Sequence, residues 1–394
     1  MSNNASNHLM STYARLPVAF KSGRSVYLTD TNGKEYLDAI CGIAVCGLGH
    51  AHPDIATAIA DQAKTLIHTS NLYEIPHQTE LGDKLCELAD MDKVFFSNSG
   101  AEANEAAIKL ARLYGKQQGI ERPNIIVTNG SFHGRTLATL SATGNRKVQA
   151  GFEPLVDGFV RVPYNDIEAI KKTAEINKDV AAILVEPVQG EGGVVIPDAD
   201  YLSQIRTLCD ENNWLMMLDE IQTGLGRTGK WFAHQHANDA KPDVMTLAKA
   251  LGNGVPIGAC LAAGKASTVF APGNHGSTFG GNPLATRVGL TVLELIEQQN
   301  LCNNAANMGN YLLAGFKQEL GEVEGVTDIR GLGLMIGIEL QNDCPELVKL
   351  AMEYDLLINV TAGNTIRLLP ALITTKEQAD TIIKVVSILV KTTL

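Results

Sequence analysis

Two charged residues stand where apolar strands stop. Leu215-Met216-Met217-Leu218 runs directly into Asp219-Glu220, and thirty positions further on Val244-Met245-Thr246-Leu247 runs into Ala248-Lys249. A carboxylate or an ammonium at the end of a buried strand is costly unless it has a partner or a task. For the lysine, desolvation disfavours the charged form, and the neutral amine so produced attacks carbonyls. A Schiff base with an aldehyde cofactor is the recurring use of such an amine. The glycines of Gly252-Asn253-Gly254 leave a flexible turn beside it.

A third element completes the set. Val94-Phe95-Phe96 leads through Ser97-Asn98-Ser99-Gly100 into a helical pattern with Ala103, Ala107, Ile108 and Ala111 on one face. A strand, a turn and a helix N-terminus leave backbone N–H groups and the positive end of the helix dipole facing outward, and such a place takes a phosphate. Alone it reads equally well as an ordinary capped helix, with Asn98 or Ser99 as the cap and Glu102 in the first turn. Pyridoxal phosphate, however, needs an amine, an anion site and a carboxylate at its pyridine nitrogen, and the chain offers all three. Gly224-Leu225-Gly226-Arg227-Thr228-Gly229-Lys230 matches GxGxxG and GxxxxGK, but Trp231 stands where a nucleotide loop needs Ser or Thr. Its glycines are expected to make turns.

The elements that must position these groups follow an α/β pattern. Buried strands are expected at Val94–Phe96, Ile125–Val127, Ala182–Val185, Leu215–Leu218, Val244–Leu247 and Ala259–Ala262, alternating with helical segments. Ligands in such sheets sit outside the strands' carboxyl ends, where the polar residues cluster. From about residue 286 the pattern changes to long helices, a glycine-rich strand region at Arg330–Leu340, and a last helix with Ala379, Ile382, Ile383, Val386 and Leu389 on one face.

Bulk properties narrow the partners. With 394 residues and 45% hydrophobic content the chain can bury a core and divide into domains. The formal charge of −11 and the absence of any basic run argue against nucleic acid and anionic membranes. Seven cysteines, an odd number without a CxxC pair, read as reduced thiols. His50, His52, His68 and His77 follow no metal-ligand spacing, so no metal is expected and these histidines read as turn and capping residues. The start of the chain has no basic stretch leading into an apolar one, and no apolar run approaches a membrane span, so the expected location is the cytoplasm.

Six blocks carry a resemblance. SNSGAEANEAAIK, SFHGRT, VEPVQGEGGV, LDEIQTGLGRTG, TLAKALGNGVPIGA and HGSTFGGNP, in this order and over nearly the whole chain, are similar to the signature blocks of the class III aminotransferases. The resemblance implies a fold type I pyridoxal-phosphate-dependent transferase. Its large domain, a mixed and mostly parallel sheet between helices, would span 56–285. A smaller α+β domain would span 286–394, and an N-terminal segment, 1–55, would pack with it. Lys249 would carry the cofactor, Asp219 would pair with the pyridinium, and Gln222 would lie near the phenolic oxygen. Gly100 and Ala101 would bind phosphate through backbone N–H groups, Phe132 would lie against the ring, and Glu220 and Ile221 would complete the cofactor contacts. Thr278 would reach the phosphate of a neighbouring subunit, with Ser277 near its substrate, so the active unit would be a homodimer.

The resemblance also bears on substrate. Arg367 would hold the α-carboxylate of glutamate or 2-oxoglutarate, Glu191 would mask it in the other half-reaction, and Arg135 would bind the donor's remote carboxylate. A terminal amine would then face the cofactor. The block from Leu37 to His50, His68-Thr69-Ser70-Asn71-Leu72-Tyr73 and Asn359-Val360-Thr361-Ala362 most resemble the branch of the family that takes the δ-amino group of N-acetylornithine. Ornithine, succinylornithine and 4-aminobutyrate are the alternative donors, ornithine because Tyr13 could serve a free α-amine. An aminomutase of the same fold is the rival from another class; the Glu191 and Arg367 pair speaks against it.

Overall fold

The computed structural model of the chain describes residues 8–394, so the first seven residues of the 1–55 segment lie outside the described residues. Seven strands form the central sheet: β4 (Lys93–Ser97), β5 (Asn124–Thr128), β6 (Phe159–Val162), β7 (Val180–Val185), β8 (Leu215–Asp219), β9 (Val244–Leu247) and β10 (Gly258–Ala262), in the order β4-β10-β9-β8-β7-β5-β6. All neighbours are parallel except β10, which runs antiparallel to both β4 and β9. The six expected strands are all present. The unexpected β6 is an edge strand: of FVRV only Val162 is fully buried and Arg161 is exposed, so it lacks the continuous apolar run that marks the interior strands. β7 and β8, by contrast, are buried along their whole length.

The polarity of the sheet decides where chemistry can occur. Because β4, β5, β7, β8 and β9 run the same way, Ser97, Thr128, Val185, Asp219 and Leu247 all end at one edge. The Gly100–Gln117 helix starts from that edge and packs back over β10 and β9 through its alanine-rich face.

Two smaller sheets stand beside the central one. β1 (Phe20–Arg24), β2 (Tyr27–Asp30) and β3 (Glu35–Asp38) form a meander whose last strand pairs in parallel with β13 (Leu356–Leu357), tying the start of the chain to its far end. β11 (Val326–Leu332), β12 (Met335–Leu340), β14 (Asn359–Thr361) and β15 (Thr365–Leu368) form an antiparallel sheet in the order β11-β12-β15-β14; the Leu301–Leu320 helix packs on β11 and β12, and the Lys376–Thr393 helix packs on that helix. The Lys376–Thr393 helix buries Ala379, Ile382, Val386 and Leu389.

The GLGRTG segment joins these layers. Gly226 and Gly229 take φ of +89° and +93°, and the buried Arg227 donates to the carbonyl oxygens of Leu334 and Pro370. At the facing β11–β12 turn, a Cβ on Gly333 would lie 2.4 Å from the Thr228 backbone, so only glycine allows the approach. No helix among the described residues is long and apolar enough to cross a membrane.

Candidate active site

A cavity of about 420 Å³ opens at the carboxyl edge of the central sheet and collects Gly100, Phe132, Asp219, Gln222 and Lys249 in its wall. Lys249 enters it from a short helical turn, Lys249–Gly252, that directly follows β9. Its φ of +42° lies in the left-handed region, a conformation that costs a non-glycine residue about 1–3 kcal/mol and persists where surrounding structure enforces it. Asn253 is part of that enforcement: its side chain accepts the Leu48 N–H at 2.9 Å and donates to the Gly49 carbonyl at 3.1 Å, binding the turn to the N-terminal segment. Burial pulls the Lys249 ammonium down to about 8, and the Arg367 guanidinium acts in the same direction, against Glu191, Asp219 and Glu186.

Asp219, 4% exposed, is held from three sides. Its Oδ2 accepts from Asn104 Nδ2 and from His133 Nδ1, both at 2.8 Å, and its Oδ1 accepts the Ile221 N–H at 3.1 Å. Asn104 is fixed in turn, donating to the His133 carbonyl at 2.8 Å and accepting from Thr246 Oγ1 at 2.8 Å. A carboxylate with this many donors keeps one orientation.

At the other end of the cavity, Ser99 caps the Gly100–Gln117 helix by accepting the Glu102 N–H at 3.2 Å. The N–H groups of Gly100 and Ala101 belong to the first turn, beyond reach of any carbonyl of the helix, and both residues line the cavity. A Cβ on Gly100 would sit 2.8 Å from Ile221 Cδ1, so the missing side chain is what lets Ile221 close over the helix start. Gln222 is 8% exposed and its Oε1 has no hydrogen-bond partner, an orphaned acceptor in the cavity wall. An anion cradle, a lone buried acceptor, an amine and a fixed carboxylate fit pyridoxal phosphate: Gly100 and Ala101 for its phosphate, Lys249 for its aldehyde, Asp219 for its ring nitrogen.

Arg367, 1% exposed, rises from β15 beneath Glu191. Its Nη1 donates to Glu191 Oε1 at 2.6 Å, while Nε and Nη2 both donate to Asn359 Oδ1 from the paired position on β14, at 3.1 and 2.6 Å. Glu191 lines the cavity and Arg367 lies behind it. Arg135 stands exposed at the rim, its Cζ 5.8 Å from the Phe132 ring centre, with no ion pair among the described residues.

Besides Arg367, three of the expected residues lie outside this wall. Glu220 points away from the cavity: its carboxylate accepts from Thr223 Oγ1 at 2.6 Å, from the Ala233 N–H at 2.8 Å and from the His234 N–H at 2.9 Å. Thr278 is exposed and lines no part of its own chain's cavity. Ser277 stands just behind the wall, its Oγ accepting from Asn98 Nδ2 at 3.3 Å.

Sequence reasoning passed over Asn104, His133, Asn359 and Glu186. The first three are fixed only by tertiary contacts, which no local pattern announces. Glu186, however, follows the apolar run of β7 as Asp219 ends that of β8, and the strand-end rule would have picked it.

The fold and this cavity define a pyridoxal-phosphate transaminase of the mixed-sheet type. The family described as aminotransferase class-III matches residues 10–390. Acetylornithine aminotransferase of Nitrosomonas europaea is 59% identical over 384 residues, 98% of each chain. Among solved structures, ornithine aminotransferase from Toxoplasma gondii, reported with partial occupancy of PLP at its active site, superposes with a TM-score of 0.93 at 32% identity, covering 98% of this chain and 92% of that one. Acetylornithine aminotransferase from Elizabethkingia anophelis gives a TM-score of 0.86 at 36% identity, covering 97% and 96%. The chain belongs to the class III aminotransferases, and its cofactor is pyridoxal phosphate.

Proposed function

We propose that this chain transfers the δ-amino group of N2-acetyl-L-ornithine to 2-oxoglutarate, giving N-acetyl-L-glutamate 5-semialdehyde and L-glutamate, as a cytoplasmic homodimer in arginine biosynthesis. The observation that carries the reading is Glu191 in the cavity wall paired at 2.6 Å with Arg367 directly behind it, in a chain whose relatives over nearly full length are acetylornithine aminotransferases. With Glu191 over the guanidinium, an α-carboxylate has no cation to grip beside Lys249, and a donor must present an amine remote from its carboxylate. Arg135, unpaired at the rim, suits that remote carboxylate. When Glu191 swings aside, Arg367, held in place by Asn359, offers two donors to the α-carboxylate of 2-oxoglutarate.

An acylated α-nitrogen is neutral and needs no anion. The wall near it is apolar: Val45 lines the cavity, and Ala44 packs with Val188 and Val194. Tyr13, the candidate partner for the free α-amine of ornithine, is 76% exposed and lines no part of the cavity.

Bound pyridoxal phosphate supplies an electron sink for the carbon that loses its amine. The chain's residues do the rest. Lys249 Nζ, pulled down to about 8 by burial, gives up its own proton far more readily than an ordinary lysine and is the group placed to take the proton from the amine-bearing carbon. Asp219, locked by His133 and Asn104, is the group that would hold a proton on the ring nitrogen of the bound cofactor. To test the reading, N-acetylornithine, ornithine and 4-aminobutyrate are added separately, without keto acid, while the cofactor's visible absorbance is followed. Fastest bleaching with N-acetylornithine, reversed by 2-oxoglutarate, is expected; preference for another amine would replace the donor, and no bound-cofactor band would sink the reading.

A further inference from the structure

One carboxyl group in the cavity wall has no role in the chemistry above. Glu186 follows β7, is 6% exposed and lines the cavity. Its Oε2 accepts the Phe132 N–H at 3.1 Å and its Oε1 the Gly190 N–H at 3.4 Å. The first partner is the aromatic residue of the cavity wall; the second directly precedes Glu191, which covers Arg367. One side chain thus joins the segment after β5 to the loop that carries the Arg367 cover. The geometry points to Glu186 as a positioning residue for amino transfer, its ionised carboxylate holding Phe132 and the Glu191 loop in one arrangement; the assignment rests on the transaminase reading.

The groups that act on Glu186 come from the strand ends on both sides of β7, two strands deep on each side. They are His133 after β5, Tyr164 after β6, Asp219 on β8 and Lys249 after β9, with the Tyr164 hydroxyl donating to the Glu186 backbone carbonyl at 2.9 Å. Burial pushes the Glu186 carboxyl up, to about 7, with His133 acting against the rise and Asp219 adding to it. Ionised, both oxygens accept and both N–H groups are satisfied. Protonated, one oxygen becomes a donor facing an N–H, and the negative charge near Lys249 is lost. The arrangement is therefore complete above neutrality and loosened below it.

Two measurements test this, one of them independent of the cofactor. In cofactor-free protein, infrared spectra between about pH 5.5 and 8.5 should show a protonated-carboxyl band that disappears near neutrality and is missing in Glu186→Gln. In loaded protein, donor-induced bleaching should show an acid limb near neutrality. Glu186→Gln, whose amide N–H₂ opposes one of the two backbone N–H groups, should be roughly tenfold slower at about pH 8.5 and lack that limb. Glu186→Asp, shorter but still titrating, should keep a limb at a reduced rate. A band that persists in Glu186→Gln, or an acid limb that Glu186→Gln leaves in place, overturns the proposal. A wild-type protein that shows the infrared titration but binds no pyridoxal phosphate would overturn the transaminase reading instead.

Discussion

Lys249 is destabilised where it stands, and the pH dependence of that cost can be read. Its pKa is about 8 in the folded chain against 10.5 for an ordinary lysine, so between those values the unfolded chain holds more protons. The burial cost is fully present below about pH 8 and is relieved as pH rises toward 10.5. Cofactor-free Lys249→Met, with a side chain of similar length and no charge, should therefore be more stable than cofactor-free wild type at pH 7, by up to roughly 3 kcal/mol. The difference should shrink toward about pH 10; thermal melts across that range would expose an error if the gap stayed constant. Asp219 is a carboxylate held by three donors. Asp219→Asn replaces an acceptor with an N–H₂ group among donors. It should slow donor-induced bleaching on the order of a hundredfold while still binding the cofactor. Equal loss of binding and rate would assign Asp219 to anchoring alone.

At the scale of elements, the strand ends do most of the positioning, and they are also what the sequence displays most plainly. Leu215–Leu218 is a continuous apolar run and Val244–Leu247 is broken only by Thr246, because both faces of the sheet are covered, and Asp219 and Lys249 stand out against them. The N-terminal sheet left no such trace: β1 to β3 are partly exposed, and β3 completes its pairing with β13, more than three hundred residues away. Nor could local pattern show that Cys41, Gly42, Ile43 and Ala44 all take positive φ, a left-handed turn leading to Val45 in the cavity wall. The Gly100–Gln117 helix start was legible as a strand, turn and helix N-terminus, and its geometry makes a sharp test of the phosphate role. Gly100→Ala drives a Cβ to 2.8 Å from Ile221 Cδ1, so either Ile221 or the helix start must shift. Affinity for pyridoxal phosphate, measured by titrating the cofactor-free protein, should fall roughly tenfold, or about 1.4 kcal/mol. Unchanged affinity would remove this helix from the phosphate site.

For the whole molecule, the question is what covers Thr278. It lies exposed between Ser277 and Phe279, on a loop fastened to the 67–73 segment: Asn71 Nδ2 donates to the Ser277 and Gly280 carbonyls, both at 3.0 Å, and the His68 and Phe279 rings lie 5.2 Å apart. The joint surface leaves Leu72 88%, Tyr73 70%, Phe279 59% and Ile67 53% exposed, an apolar patch of the kind that a second subunit buries. If the partner's cavity receives Thr278, each site needs Lys249 from one chain and Thr278 from the other. A Lys249→Ala chain can then donate a loop but has no working site, and a Ser277→Ala/Thr278→Ala chain has the lysine but no loop to give. Refolded together in equal amounts, half of the dimers are mixed and each contains one complete site, so activity at limiting pyridoxal phosphate should recover to about a quarter of wild type. The two parents alone should give far less. Activity no greater than their average would mean that Thr278 serves its own chain or none, and the exposed patch would then need another explanation than shared active sites.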